Sequence, residues 1–177
     1  MKKYEFTGET KEIRLLFRTA TLHRIRATVA FGIVEVGDLG GWIEKEENLS
    51  HEGKAWVCGD AKVWGNAKVW GNAKVWGNAE VCGDAEVWGN AEVFSASHVL
   101  VIGAIGSRND FTTFYRDKDN EITVKCGCFL GKIDRFLEKV TQTHGDSKYA
   151  LVYRAAVEVA KLQIDLSGEA PKDADEE

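Results

Sequence analysis

Valine recurs every six residues through the middle of the chain, at Val57, Val63, Val69, Val75, Val81, Val87, Val93 and Val99. Most of these valines carry the same surroundings, as in VWGNAK: alanine two places before, a charged residue directly before, then Trp or Cys, Gly, and Asn or Asp. A helix spaces its apolar residues three to four apart and a strand two apart, so a period of six fits neither alone. It fits a parallel β-helix, in which each hexad makes one short strand and one corner. Valine then points inward and alanine fills the narrow interior near a corner. Gly with Asn or Asp forms the corner, where left-handed φ is tolerated. The pattern predicts this architecture over residues 54–104.

Three hexads per turn would stack residues 18 apart. One face would carry Cys58, Trp76 and Phe94, a second Trp64, Cys82 and Leu100, and a third Trp70 and Trp88. With valine inward, these side chains point outward. The charged position changes sign once, which sets Lys62 over Glu80, Lys68 over Glu86 and Lys74 over Glu92. Such pairs help register, each by a fraction of a kcal/mol when exposed. The repeat supplies fewer than three turns, only ~14 Å of stacked strands at ~4.8 Å spacing. Its open ends need caps, and its outward aromatics, Trp64, Trp70, Trp76, Trp88 and Phe94, form an apolar surface that predicts an interface.

The flanks predict the caps. Residues 1–53 read as an irregular β cap, with LHRIRATV as a strand and GDLGGWIEKEENLS as a Gly-rich turn followed by a charged stretch. Residues 105–166 read as a β-hairpin, FTTFYRDKDNEITVKCGCF with DKDN as its turn, followed by two amphipathic helices. Ile133, Phe136, Leu137 and Val140 share a face of the first helix, and Leu151, Ala155, Val159 and Leu162 a face of the second. THGDS carries the residues that end one helix and start the next. Residues 167–177 are acidic and read as a disordered tail.

Composition narrows the function classes. A chain of 177 residues is one domain or one with an appendage. A formal charge of -5 argues against general nucleic-acid binding, although Arg14, Arg18, Arg24 and Arg26 make the N-terminal part basic. Four cysteines do not make a disulfide scaffold, and Cys58 and Cys82 replace Trp in the hexad. No apolar run reaches transmembrane length and no signal peptide is visible, so a cytosolic setting with reduced cysteines is expected.

The repeat resembles the hexapeptide motif of left-handed β-helix proteins, in which an aliphatic residue follows a small one by two places. It departs from the commonest form by placing Trp directly after the aliphatic residue and shifting the glycine by one. The resemblance implies the left hand, which periodicity does not give, and a homo-oligomer, with a trimer favoured. The expected fold class is therefore mainly β: a short left-handed parallel β-helix with an N-terminal β cap and a C-terminal hairpin plus two-helix part. Nearly the whole chain, through LHRIRA, GDLGGWIEKEENLS, the VWGNA repeat, SRND-FTTFY, CGCF and THGD, is similar to phage- and prophage-encoded β-helix proteins of unassigned function. That likeness implies a bacterial host cytosol and brings no catalytic residues or cofactor.

The polar residues that the repeat does not explain lie in the C-terminal part. Ser107, Arg108 and Asn109 precede Thr112, Thr113 and Tyr115. Arg108 offers a planar fork of donors for an anionic group, the hydroxyls add more, and Tyr115 could stack on a base. His144 is a further ligand candidate; it could equally cap the first helix. The alternative for SRND is a plain turn with Arg108 as a surface charge. Cys126 and Cys128, with His144 and Asp146, invite a zinc reading, but C-x-C is not the usual spacing and strand alternation puts both thiols on a core face. A Cys–His nucleophile pair fits the residue types alone. Three functions stay open: a non-catalytic binding protein, in its most concrete form sequestering a nucleotide second messenger of host defence; a structural scaffold associating through its Trp faces; and, by the family resemblance, an acyltransferase using His98 or His144.

Overall fold

The computed structural model describes residues 2–15 and 18–167, so the acidic stretch from residue 168 onward lies outside the described residues. The fold is mainly β, with two helices at its C-terminal end. Among the described residues no helix is long and apolar enough to cross a membrane.

The chain opens with a long antiparallel hairpin, β1 (Tyr4–Arg14) and β2 (Thr19–Ala27), joined on the β2 side by β3 (Leu39–Ile43). β3 leads into the repeat by pairing in parallel with β5 (Lys62–Val63), Ile43 opposite Val63. The N-terminal cap is fastened by buried polar groups. Asn48 donates to the carbonyls of Gly65 (3.2 Å) and Ala67 (2.8 Å) and accepts from the Lys45 amide. Tyr4 donates to Leu49 O and Lys3 to Ala55 O. Burial of the Lys3 amine lowers its pKa to about 8.

The repeat forms two-residue strands: β4 (Trp56–Val57), β5, β6 (Lys68–Val69), β7 (Lys74–Val75), β8 (Glu80–Val81), β9 (Glu86–Val87) and β10 (Glu92–Val93). They pair in parallel with partners 18 residues on, in three ladders: Val57 with Val75 and Val93, Val63 with Val81, and Val69 with Val87. These valines are at 0% exposure, with the alanines of the repeat between them at 0–1%. Gly65 and Gly71 show why the corner tolerates nothing larger. Both have positive φ, and a Cβ on either would come within 3.2 Å of the backbone of the glycine one turn further on.

The chain then enters an antiparallel sheet of β11 (Val99–Ile105), β12 (Asp110–Arg116), β13 (Ile122–Cys126) and β14 (Phe129–Lys132), followed by α1 (Ile133–His144) and α2 (Lys148–Gln163). The hairpin predicted around DKDN is β12–β13. Side chains alternate across a strand, and β12 uses both faces. Tyr115 joins the core of the repeat, while Phe114 packs with Val124, Phe136, Tyr153 and Val157 under the helices. The sheet therefore closes the far end of the repeat with one face and carries the helices on the other.

Two expectations about apolar faces do not match the structure. On α2 the inward residues are Ala150, Tyr153, Ala156, Val157 and Ala160, whereas Leu151, Val159 and Leu162 are exposed. Small alanines let the helix lie close to its neighbours, so bulk does not mark the buried side. In the repeat, Trp64 is 8% exposed because Leu22 and Trp42 of the N-terminal sheet cover it. Phe94 is 9% exposed, with the Arg116 guanidinium 4.9 Å over its ring. Those two rings are spent within the chain and are not free for another subunit. Trp70 and Trp88 stack in parallel at 5.2 Å, and Trp76 meets Phe94 edge-on at 5.0 Å.

Candidate functional site

A cavity of about 310 Å³ opens between the β11–β12 turn, the β13–β14 turn and α1. Local sequence builds each wall. Cys126 pairs with Phe129, leaving Gly127 and Cys128 as a two-residue hairpin turn. Gly127 takes φ +55, as the first position of such a turn requires. On α1, Phe136, Lys139, Val140, Thr143 and His144 line the cavity at helical spacings of three and four. α2 contributes Tyr153, whose hydroxyl reaches over Gly106; a Cβ there would fall 1.9 Å from it.

The floor is aromatic. Phe129 lies 5.3 Å from Phe136, Phe136 meets Tyr153 edge-on at 5.6 Å, and His144 stacks on Tyr153 at 5.8 Å. The rim is polar and predominantly cationic, with Arg108, Lys139 and Ser107 beside the single carboxylate of Asp110. Arg108 lies against the β13–β14 turn, its Nη1 only 2.9 Å from where a Gly127 Cβ would stand. Burial first, and then the neighbouring Cys126, push the Tyr153 hydroxyl up to about 12, so it stays protonated as a donor. Cys126 Sγ lies 4.0 Å from that hydroxyl and accepts from Thr112 Oγ1 at 3.3 Å.

The structure brings together three of the seven residues singled out for ligand binding: Ser107, Arg108 and His144. Asn109 sits in the adjacent turn at φ +53 and does not line the cavity. Thr112, Thr113 and Tyr115 are at 0–1% exposure, because β12 is covered on both faces. Thr113 Oγ1 accepts from the Glu86 amide of the repeat, and Tyr115 is packed among the valines. Neither can reach a ligand in the cavity. Lys139, Thr143 and Tyr153 were not singled out by their sequence, although Lys139 and Thr143 share a helix side with Phe136 and His144.

The cysteines also stand differently from expectation. Cys126 is half-buried and Cys128 exposed in the turn, and both line the cavity rather than the core. Among the described residues, the one group of three acidic, His or Cys side chains within metal-binding reach is Asp117, Asp119 and Glu121, which excludes Cys126, Cys128 and His144. Lys132 already supplies that acidic group with a cation, pairing with Asp117, with Glu121 at 2.5 Å and with Asp119 at 4.0 Å. His98 is buried, its Nδ1 accepting from the Phe94 amide at 3.2 Å. Burial, followed by the Arg116 charge, lowers its pKa, and it closes the end of the repeat rather than facing a substrate. A second cavity of about 130 Å³ lies where Phe31 and Val34 fold over Trp56, Cys58 and Trp76, and is almost wholly apolar.

No protein-family model matches the chain, and no curated protein matches it at a significant level.

Proposed function

We propose that this chain is a non-catalytic binding protein whose cavity holds a small anionic ligand of the nucleotide class. The observation that carries the reading is the pairing of Arg108 and Lys139 at the rim with the Phe129, Phe136 and Tyr153 floor. Guanidinium and ammonium groups suit a phosphate, aromatic faces suit a base, and Ser107 and His144 supply further hydrogen-bonding groups. The volume falls at the lower end of small-molecule pockets. The likeness to phage proteins gives the concrete version, sequestration of a nucleotide second messenger of host antiviral defence. Titration calorimetry against cyclic nucleotides and ADP-ribose derivatives tests it. Micromolar binding that is lost in an Arg108→Ala, Lys139→Ala variant supports the reading, and no heat from any member of the panel at micromolar concentration overturns it.

The 18-residue ladders are read, with the hexad resemblance, as a short left-handed parallel β-helix that serves as a rigid mount for this cavity. A second reading, a self-associating scaffold, draws on one observation: Leu151, Val159, Leu162 and Leu166 form an exposed apolar stripe along α2 and its exit. On this reading a second copy of the chain covers the stripe, and the closed assembly is a homo-oligomer, with a trimer favoured. Light scattering on Leu162→Glu distinguishes the two. A fall in mass places the interface on α2, and an unchanged mass removes α2 as the interface.

A further inference from the structure

We propose that Cys126 and Cys128 are a reactive dithiol pair that exchanges with small anionic disulfides of the glutathione class. The inference goes beyond the nucleotide reading and does not depend on it. The two cysteines flank one glycine in a two-residue turn, and both line the same cavity. Consecutive Cα atoms are ~3.8 Å apart, so two steps around so tight a turn leave the cysteine Cα atoms about 5.5 Å apart, inside the range a disulfide spans. Gly127 at φ +55 supplies the bend.

The surroundings fit a substrate that carries carboxylates. Arg108 lies against the turn between the two thiols, and Lys139 faces the same space. Lys125 donates to the Gly127 carbonyl and fixes the turn. The Thr112 hydroxyl points at Cys126 Sγ from 3.3 Å and orients that sulfur, while Cys128 is open to solvent. The other exposed thiol, Cys82, lies on the repeat, where burial first and then Glu80 raise its pKa. It is the built-in comparison.

The exchange balances in two steps. Cys128, as thiolate, attacks one sulfur of the incoming disulfide RSSR; a Cys128–S–S–R bond forms and RS⁻ leaves. Cys126, as thiolate, then attacks Cys128 Sγ, closing the Cys126–Cys128 bond and expelling the second RS⁻. Two protein thiols are oxidised and one disulfide is reduced to two thiols, which take up the two protons the cysteines gave up.

Oxidised glutathione is the probe. The full-length protein is incubated with it, then quenched, alkylated and peptide-mapped. The expected result is loss of two hydrogens on the peptide holding both cysteines, formed about tenfold faster than any adduct on Cys82. Cys126→Ser should trap a single glutathione on Cys128. Cys128→Ser, at an exposed position, should abolish ring closure while leaving the circular dichroism spectrum unchanged. If both thiols alkylate fully after incubation, or react no faster than Cys82 and without ring closure, the proposal is overturned. Because no nucleotide is present, failure here leaves the calorimetric reading standing, and the reverse also holds.

Discussion

The repeat and the C-terminal part bury similar amounts of apolar side chain by opposite means. In the repeat, one valine and one alanine per hexad fill the interior, and each short strand pairs with the one 18 residues away. In the C-terminal part no two layers are alike. Phe114, Phe136, Tyr153 and three α2 alanines fit together once, and their mismatch leaves the 310 Å³ cavity. Regular packing of identical units leaves no such gap along the valine stack. A pocket with convergent polar groups therefore arises where the period stops.

The largest expected effect tests the regular side. Val75 stands between Val57 and Val93 at 0% exposure. Val75→Ala should cost about 2–3 kcal/mol, from lost transfer energy plus an unfilled cavity that rigid neighbours cannot close. Urea unfolding reads this as a lower midpoint, and ligand affinity of the folded fraction should not change. The irregular side should behave in reverse. Arg108→Ala removes an exposed side chain, so unfolding should shift by less than about 0.5 kcal/mol. Affinity for an anionic ligand should fall about ten- to hundredfold, the range for losing a charged hydrogen-bonding partner. A variant that moved both quantities together would break the comparison.

Next in size is Asp117, where the two regions meet. It pairs with Ala91 of the repeat through the backbone, and its carboxylate accepts from Lys132 and from Thr123 Oγ1 at 2.6 Å. Burial alone pushes this carboxyl up; the bonds from Lys132, Thr123 and the Asp119 amide outweigh it and hold the pKa below its ordinary 3.8. A carboxyl depressed in the folded chain contributes stability at pH above its unfolded value and loses it as pH falls through the folded one. Asp117→Asn should thus cost about 1–2 kcal/mol at neutral pH. The gap from the unmodified chain should close as pH drops below 3.8, a trend that thermal unfolding across pH would show.

These regions also differ in how far their sequence speaks. The hexad is legible because each residue's neighbours are set by position alone: knowing the period gives the inward valine and its partner. Trp64 escapes that logic because its cover, Leu22, comes from more than 40 residues upstream. The strand and two helices of the C-terminal part are legible from local alternation and spacing, but their faces are not. Thr112, Thr113 and Tyr115 read as available polar groups because alternation usually leaves one strand face wet, and β12 is covered on both. Leu151 and Leu162 read as core because bulk outweighs alanine on any hydropathy scale, whereas close helix packing favours the alanines. Arg108 and His144 were legible as chemistry; that Lys139 and Tyr153 join them depends on how α1 and α2 lie on the sheet.

The smallest expected effect shows the two regions acting on each other. The sequence sets three equivalent Lys over Glu pairs, and the structure makes them unequal. Lys62 and Glu80 meet at 2.6 Å, Lys74 and Glu92 at 4.0 Å, while Glu86 turns to Lys125 of β13 at 3.1 Å. Lys125 is the more enclosed cation, 10% exposed and 4.8 Å over the Trp88 ring, whereas Lys68 is exposed. A double-mutant cycle on Lys62 and Glu80 should return about 0.2–1 kcal/mol, shrinking with added salt as exposed pairs do. The cycle on Lys68 and Glu86 should return nothing measurable. The cycle on Lys125 and Glu86 should match or exceed the first and resist salt, because less water reaches the pair. Equal coupling in all three hexads would mean that the repeat sets its own energetics and the sheet merely abuts it. The unequal result would mean that the irregular region has taken over one link of the regular one, at the edge nearest the cavity.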